Sequence, residues 1–477
     1  MKTQTEIIDA KAVGALRGRF RGALLRQGEE GYEEARRVWN GAIDRRPALI
    51  ARCAGTDDVA EAVRFARERD LPISVRGGGH AVAGHAVVDD GLMIDLSLMR
   101  SVLVDPSACT ARAGGGALLG ELDRATQRFG LATVAGIMSE TGVGGLTLGG
   151  GLGHLMRKHG LTVDNLLSVD LVSADGERMH VDAESEPELF WGLRGGGGNF
   201  GIATTFEYRL HPVGPVVLGG PIAWPLEQAG EVLRFLRDYA PEAPDELGIV
   251  FSTRMAPPAP FLPPDQFGKP VVMVVPVWAG DVAEGQKAIA LLRRLGTPIA
   301  DFVRAAPYLF FQSLMDAGNP HGMHYYWRSQ RLPTLTDDAI NVMITQTEAI
   351  EAPLSYVAGF AVGGAVTRVH PEATAVGPRE GGFELSIVAG WRPEDSAADR
   401  HVAWVREGWE ALRPHSTGVF SHFLSDEGAA GVEAAYGKRL GRLTALKDRS
   451  DPTNFFRLNA NIAPSREPGR RERNGVR

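Results

Sequence analysis

Glycine fills 59 of the 477 positions, against an average of about 7% in proteins. The excess is gathered into clusters at 77–79, 114–116, 142–153 and 195–201. Each cluster is flanked by strongly apolar, patterned sequence, which excludes a low-complexity linker. Such clusters mark tight turns, or backbone that lies against a ligand. The stretch "LPISVRGGGHAVAGH" (71–85) shows the pattern best: an apolar run ends in Arg76, three glycines and His80. Consecutive glycines present successive amide N–H groups with no side chains in the way, and such a nest can wrap a phosphate. A purely structural turn fits the spacing as well, and both readings stand at this point.

Familiar glycine motifs fail. "GGGNFG" (196–201) matches G-x-G-x-x-G, but a helix (186–193) precedes it and a strand (202–210) follows. A dinucleotide fold of the Rossmann type needs the reverse order, so that a helix N-terminus meets the pyrophosphate. The sequence contains no G-x-x-x-x-G-K-[ST], no H-E-x-x-H and no G-x-S-x-G. The net charge of −7 argues against binding nucleic acid, because phosphate needs a basic surface. No run approaches the ~20 apolar residues of a membrane span. The first residues lack the continuous apolar core of a secretory signal, so a cytoplasmic protein is expected. Two cysteines, Cys53 and Cys109, are too few for a disulfide framework or a zinc site. They read as small buried hydrophobes, and no metal is expected.

The length suggests two or three domains at roughly 150 residues each. Helical spacing runs through 57–69, and "LPISV" and "GLMIDLS" read as strands. "GALLGELDRATQRFG" reads as a helix closed by Gly130, and "LLSVDLVSADGERMHVD" as a hairpin turning at Asp175-Gly176. A short helix "SEPELFWGLRG" and a strand "IATTFEYRLHP" follow. After Pro212 the glycine clusters stop. Helices are expected at 226–240, 282–295, 336–350 and 395–412. Strands are expected at "GIVFSTRM", "PVVMVVPVWAG", 355–362, 383–391 and 417–424. This is an α+β pattern with one sheet covered by helices. A helix "YGKRLGRLTALKDR" comes near the end, and residues 466–477 read as a disordered tail.

Four long motifs, in order, resemble the FAD-linked oxidases of the berberine bridge enzyme-like family, in its bacterial branch. They are "VRGGGHAVAGHAVVDDGLMIDLSLM", "TGVGGLTLGGGLGHLMRKHGLTVDNLLSVDLVSADG", "ELFWGLRGGGGNFGIAT" and "YGKRLGRLTALKDRSDPTNFFRLNANIAP". The resemblance implies an FAD-binding domain of the vanillyl-alcohol oxidase type over 1–215, with 428–465 returning to it. It implies a substrate-binding domain over 216–427, an antiparallel sheet covered by helices. The family's R-G-G-G-H histidine carries the covalent flavin link, and His80 holds that position here. A second link in the family goes through a cysteine in "A-G-x-C-x-x-x-G-V-G-G"; the stretch here is "AGIMSETGVGG", with Met138 in the cysteine's place. A thioether cannot form that bond, so a single link is expected, together with a narrower site and a smaller substrate.

Further cofactor contacts implied by the resemblance are Arg76, Gly77, Gly78, Gly79 and Ala81 at the pyrophosphate. Gly84, Gly142, Gly145, Gly149 and Gly153 follow along the cofactor, with Asn199, Ile202, Asn459 and Asn461. The catalytic base departs from the family pattern. Where several members have Y-x-N-Y, this chain has "FSHF", so Phe420 and Phe423 replace both tyrosines and His422 the asparagine. His422 is a candidate base because imidazole titrates near neutral pH. Tyr326, in "HYYWRS", and Glu384, in "FELSIVAGW", are the others; Tyr436 reads as part of a helix near the flavin. The function expected is hydride transfer from a small alcohol, sugar or secondary-metabolite intermediate to FAD, with dioxygen as acceptor, by a monomer or homodimer. The alternatives are a flavin-binding protein without oxidase chemistry, and a non-covalent NADPH-dependent reductase on the same fold.

Overall fold

The computed structural model of the protein describes residues 8–466, so the expected disordered tail lies, apart from Arg466, outside the described residues. The apolar stripe of 57–69 folds as the helix Thr56–Glu68, burying Val59, Val63, Phe65 and Ala66. Asp58 fixes its first turn by accepting amide hydrogen bonds from Arg21, Gly22 and Ala54 at 2.8–2.9 Å. The helix shares a core with a four-stranded sheet. Its strands are β1 (Ala23–Leu25), β2 (Leu49–Arg52), β3 (Ile73–Arg76) and β4 (Leu92–Asp95), in the order β1-β2-β4-β3. β4 runs parallel to both β2 and β3. All four of its residues are buried, as a strand covered on both faces requires.

A five-stranded antiparallel sheet comes next, built from β5 (Val102–Asp105), β6 (Thr110–Gly114), β8 (Leu166–Val172), β9 (Arg178–Asp182) and β10 (Ile202–Arg209). A small pair, β7 (Leu131–Ala132) and β11 (His211–Pro212), lies beside it in sequence. The β8–β9 hairpin turns at Asp175-Gly176 as expected, with Gly176 at φ +77°. Cys109 departs from expectation: it is half-exposed at φ +51° between β5 and β6, whereas Cys53 is buried.

Beyond Pro212 lies a nine-stranded antiparallel sheet. It comprises β12 (Val216–Gly219), β13 (Ile222–Pro225), β14 (Leu247–Met255), β15 (Pro270–Trp278), β16 (Ala300–Asp301), β17 (Arg304–Pro307), β18 (His324–Leu332), β19 (Tyr356–Val362) and β20 (Gly382–Trp391). The main path is β16-β13-β15-β14-β19-β20-β18, with β12 joining β15 to β17. Strand alternation sorts the side chains onto two faces. Val272, Val274, Val357, Leu385 and Ile387 pack under the helices Ala229–Tyr239, Asp337–Glu348 and Ala398–Leu412. Val250, Ser252, Met273, Val275, Ala358 and Ser386 point to the opposite face. Among the described residues, no helix is long and apolar enough to cross a membrane.

The strand expected at 417–424 does not form. Gly418 makes one bridge to Arg331 at φ +147°, and the chain then leaves the sheet through a single helical turn, Ser421–Phe423. Two hydrogen bonds draw it off: the Ser421 hydroxyl donates to the Gly195 carbonyl at 3.1 Å, and His422 bonds the Gly149 carbonyl at 3.0 Å. The sheet's last strand is β18 instead, a strand not expected from the sequence.

The C-terminal segment returns to the glycine turns. Its helices Gly428–Tyr436 and Leu440–Ser450 pack against Phe190, Trp191 and Phe200. Lys447 and Asp451 form a pair whose side chains are fully buried. Lys447 Nζ donates to Asp451 at 2.7 Å and to the carbonyls of Asn199 and Phe456 at 2.9 Å, using all three of its protons. Asp451 in turn accepts the amides of Phe455 and Phe456 at 2.8 Å. Removing one member of such a pair strands the other without its counter-charge. Lys447→Met is expected to destabilise the protein by about 3–5 kcal/mol in urea unfolding. A loss below about 1 kcal/mol, the worth of an exposed pair, would contradict this account of the clamp.

Candidate active site

Between the uncovered face of the large sheet and the glycine turns lies a cavity of about 450 Å³. On one side, β3 ends at Arg76. Its guanidinium turns away from the cavity, donating to the Ala35 carbonyl at 2.6 Å and lying 4.0 Å from Asp95. Arg76 is not among the residues that line the cavity; its side chain fixes the turn from behind. Gly77, Gly78, Gly79, His80 and Ala81 do line the cavity. Gly78 meets Gly142 backbone to backbone, and a Cβ on either residue would lie 2.4 Å from the other's nitrogen. Gly79 adopts φ +68°. Among the described residues, none accepts a hydrogen bond from the amides of 77–81. Five successive bare donors in a turn free of bulky side chains make an anion nest.

His80 closes this turn. Its ring stacks on Trp39 at 4.3 Å, and Trp39 stacks on Tyr325 at 4.0 Å. Burial pushes the His80 pKa down to about 4, so the ring is neutral at physiological pH. Trp39 is held by its own indole N–H, which donates to the Asn319 carbonyl at 3.1 Å. The ring plane of His80 is thus set by a stack that reaches across to β18.

Other expected contacts divide. Gly142, Gly145, Gly149, Asn199, Ile202 and Asn459 line the cavity, as do Met138 and, from the same glycine clusters, Gly144, Gly197, Gly198 and Gly201. Gly84, Gly153 and Asn461 do not, and their expected contacts are corrected. Gly84 packs on Ile43, and Gly153 presses so closely on the Ala135 carbonyl that a Cβ would lie 1.6 Å from it. The Asn199 side chain serves the fold: it donates to the Gly196 and Ala460 carbonyls at 2.8 and 3.1 Å and accepts from the Ile462 amide at 2.9 Å. Asn459 keeps a buried Oδ1 without a partner.

The three candidate bases fare differently. His422 lines the cavity, half-buried. With Nδ1 donating to the Gly149 carbonyl, Nε2 is left as an acceptor. Burial lowers the ring's pKa to about 4. Tyr326 is corrected: Trp327 faces the cavity, so strand alternation turns Tyr326 to the helices. There its hydroxyl donates to Asp426 at 3.0 Å and accepts from Arg328 and Arg406 at 3.0 and 3.1 Å. Glu384 is also corrected. It shares a face with Ser386 but is only 1% exposed, sealed beneath Phe420, whose amide it accepts at 3.4 Å. Burial raises its pKa to about 8, opposed by Arg331 beside it on β18. Tyr436 ends its helix at the cavity wall, donating to the Gly195 carbonyl at 3.3 Å.

Arg254, Asn319, Trp327 and Tyr356 also line the cavity and were not expected. For Arg254 a signal existed: Ser252 and Arg254 stand two apart, hence on one face, in "GIVFSTRM", although Thr253 between them blurs the alternation. Polar residues on one face of an otherwise apolar strand indicate a lined site once the other face is known to be core.

A long cavity with bare turn amides on one wall and a polar-studded sheet on the other suits a nucleotide cofactor bound beside a small substrate. The comparisons agree. Residues 47–182 match the family described as FAD binding domain, and 426–463 the one described as Berberine and berberine like. An FAD-linked oxidoreductase of Dictyostelium discoideum is 33% identical over 448 residues, covering 93% of this chain and 95% of its own. The (R)-6-hydroxynicotine oxidase of Paenarthrobacter nicotinovorans is 32% identical over 464 residues, covering 93% and 97%. The crystal structure of 6-hydroxy-D-nicotine oxidase from Arthrobacter nicotinovorans superposes with a TM-score of 0.83 at 29% identity, covering 93% and 98%. A chitooligosaccharide oxidase shares the fold, with a TM-score of 0.84 at 22% identity over 95% of this chain and all of that one. The protein is an FAD-linked oxidoreductase. The chain belongs to the berberine bridge enzyme-like family.

The residues fit that cofactor. The bare amides of 77–81 suit its pyrophosphate, and the Gly78–Gly142 contact leaves no room for a side chain between them. Gly78→Ala and Gly142→Ala are each expected to yield protein with little bound flavin and a lowered melting temperature. Tyr326→Phe, on the helix side of the sheet, is expected to keep wild-type flavin content and a stability within about 1 kcal/mol. Visible absorbance and thermal unfolding check all three; a flavin-replete Gly78→Ala protein would refute the packing argument.

Proposed function

We propose that the protein oxidises a small organic substrate, with FAD tethered by one covalent link through His80 and dioxygen as the final acceptor. The observation that carries this reading is a single cavity joining the His80 turn to His422 and the polar face of the large sheet. Bound FAD supplies the hydride acceptor. The full-length similarity to an oxidase of a small heterocycle, (R)-6-hydroxynicotine oxidase, supports oxidase chemistry. Met138 in the cavity wall cannot make a second link, which supports a single tether.

The flavin-binding part is 1–215 with 428–465, and the substrate-binding part is 216–427. The substrate lies against Ser252, Trp327, Tyr356 and Ser386 on the sheet face. His422 acts as general base: Nε2 accepts the substrate's proton while Nδ1 stays bonded to the Gly149 carbonyl, which fixes the tautomer and the ring. Burial holds the ring's pKa down at about 4, so it is unprotonated across neutral pH.

Anaerobic mixing with a panel of small alcohols, cyclic amines and sugars tests the reading. A substrate bleaches the visible flavin absorbance, and readmitted air restores it with release of hydrogen peroxide. His422→Ala is expected to slow the bleaching by about 10²–10⁴-fold. The wild-type rate should stay level through neutral pH and fall as pH drops through about 4, where His422 gains its proton. Bleaching slowed by less than about tenfold would remove His422 from the role of base. Bleaching with no peroxide would replace dioxygen by another acceptor.

A further inference from the structure

Among the described residues that line the cavity, Arg254 is the only Lys, Arg, Asp or Glu. It sits on β14, on the face turned away from the helices, and is 9% exposed. Its Nε is buried without a hydrogen-bond partner. None of the hydrogen bonds or ion pairs of the described residues involves its guanidinium. Its one favourable neighbour is the Tyr356 ring, 5.1 Å from the guanidinium carbon. A ring face attracts the charge but accepts none of the five N–H donors in their plane. The polar groups beside it are already committed. Tyr356 donates to Asn319 Oδ1 at 2.8 Å, and Asn319 donates to the Met315 carbonyl at 3.0 Å.

The other deeply buried arginines lining the core keep at least one protein acceptor each, although Arg157 Nε and Nη1, Arg331 Nη1 and Arg379 Nε have none. Arg379 grips Asp164 with two bonds at 2.6 and 2.8 Å, and Arg157 donates to the Ala243 carbonyl at 2.7 Å. An isolated buried charge is expensive unless it is paired and hydrogen-bonded. A guanidinium with no protein acceptor, held at a ligand cavity, is a fork presented to a ligand. Planar, paired N–H groups match a carboxylate in bidentate fashion. Met273, Met315, Trp327, Phe360 and Phe423 supply the rest of the wall, which suits an apolar or aromatic body.

We infer that the substrate is an organic acid, an apolar or aromatic body bearing a carboxylate that Arg254 binds. The inference rests on the reading of this cavity as the substrate site of a flavin oxidase. The pyrophosphate of the cofactor has its own donors in the amides of 77–81. Arg254 is thereby a specificity-determining residue, and uncharged analogues of the substrate bind weakly.

The test uses the purified protein, with its flavin content measured first, and the matched probes benzoate and benzamide. Binding is read from the flavin difference spectrum and, on the same samples, by calorimetry. Benzoate is expected to bind at least about tenfold tighter than benzamide. Arg254→Gln and Arg254→Met should abolish that preference while leaving benzamide binding and flavin content unchanged. Arg254→Lys, which keeps the charge but not the fork, should retain part of it. Equal affinities in the wild type, no benzoate binding, or a preference that survives in Arg254→Gln would each overturn the inference. So would loss of flavin from the Arg254 variants, which would assign the guanidinium to the cofactor. Protein purified without flavin would count against the proposed function alone, because calorimetry still reads the carboxylate preference.

Discussion

The site depends on the place where Gly78 and Gly142 touch backbone to backbone. Two segments far apart in sequence cross there with no side chain between them. Any residue but glycine would force them apart, because the obstructing atoms are main-chain and cannot swing away. The close crossing fixes the turn that follows β3, and among the described residues the amides of 77–81 have no protein acceptor. Unpaired amides are ordinarily a cost; at a cavity wall they are a preformed receptor for an anion. The same turn delivers His80 onto Trp39, and the stack continues to Tyr325 on the large sheet. One glycine contact therefore sets both the phosphate nest and the plane of the histidine.

The facing wall follows from strand parity. A sheet with helices on one side and a cavity on the other assigns each residue by its place in the alternation. Parity separates Trp327, which faces the cavity, from Tyr326, which is bound to Asp426 under the helices. Parity alone does not make a site. Glu384 has the right parity, yet the segment that leaves the sheet at Gly418 lays Phe420 over it and carries His422 onward to the Gly149 carbonyl. Burial then separates the two groups chemically: the carboxyl is pushed up to about 8 and the imidazole down to about 4. The imidazole is left as the unprotonated acceptor that faces the cavity.

Much of this was legible in the chain. The clustered glycines, the α+β pattern and the hairpin at Asp175-Gly176 follow from local rules of turn chemistry and periodicity, and the structure has them. The strand β18 escaped because neither of its faces is uniformly apolar. "HYYWRSQRL" mixes aromatic and charged residues on each side and shows no apolar alternation. The segment 417–424 misled for the opposite reason. Its composition suits a strand, but tertiary bonds from Ser421 and His422 outweigh one more ladder pair. Arg76, Gly84 and Gly153 stand within the right motifs, and only three-dimensional packing shows that they support the cavity from outside it.

The central claim is that the turn ending in His80 both cradles the cofactor and tethers it. Mass spectrometry of the acid-denatured protein, followed by peptide mapping, addresses it most directly. The account predicts a polypeptide heavier by the mass of one FAD, with the addition confined to the peptide that contains His80 and none on the peptide that contains Met138. A bare polypeptide mass, with all the flavin released into the acid supernatant, would contradict it.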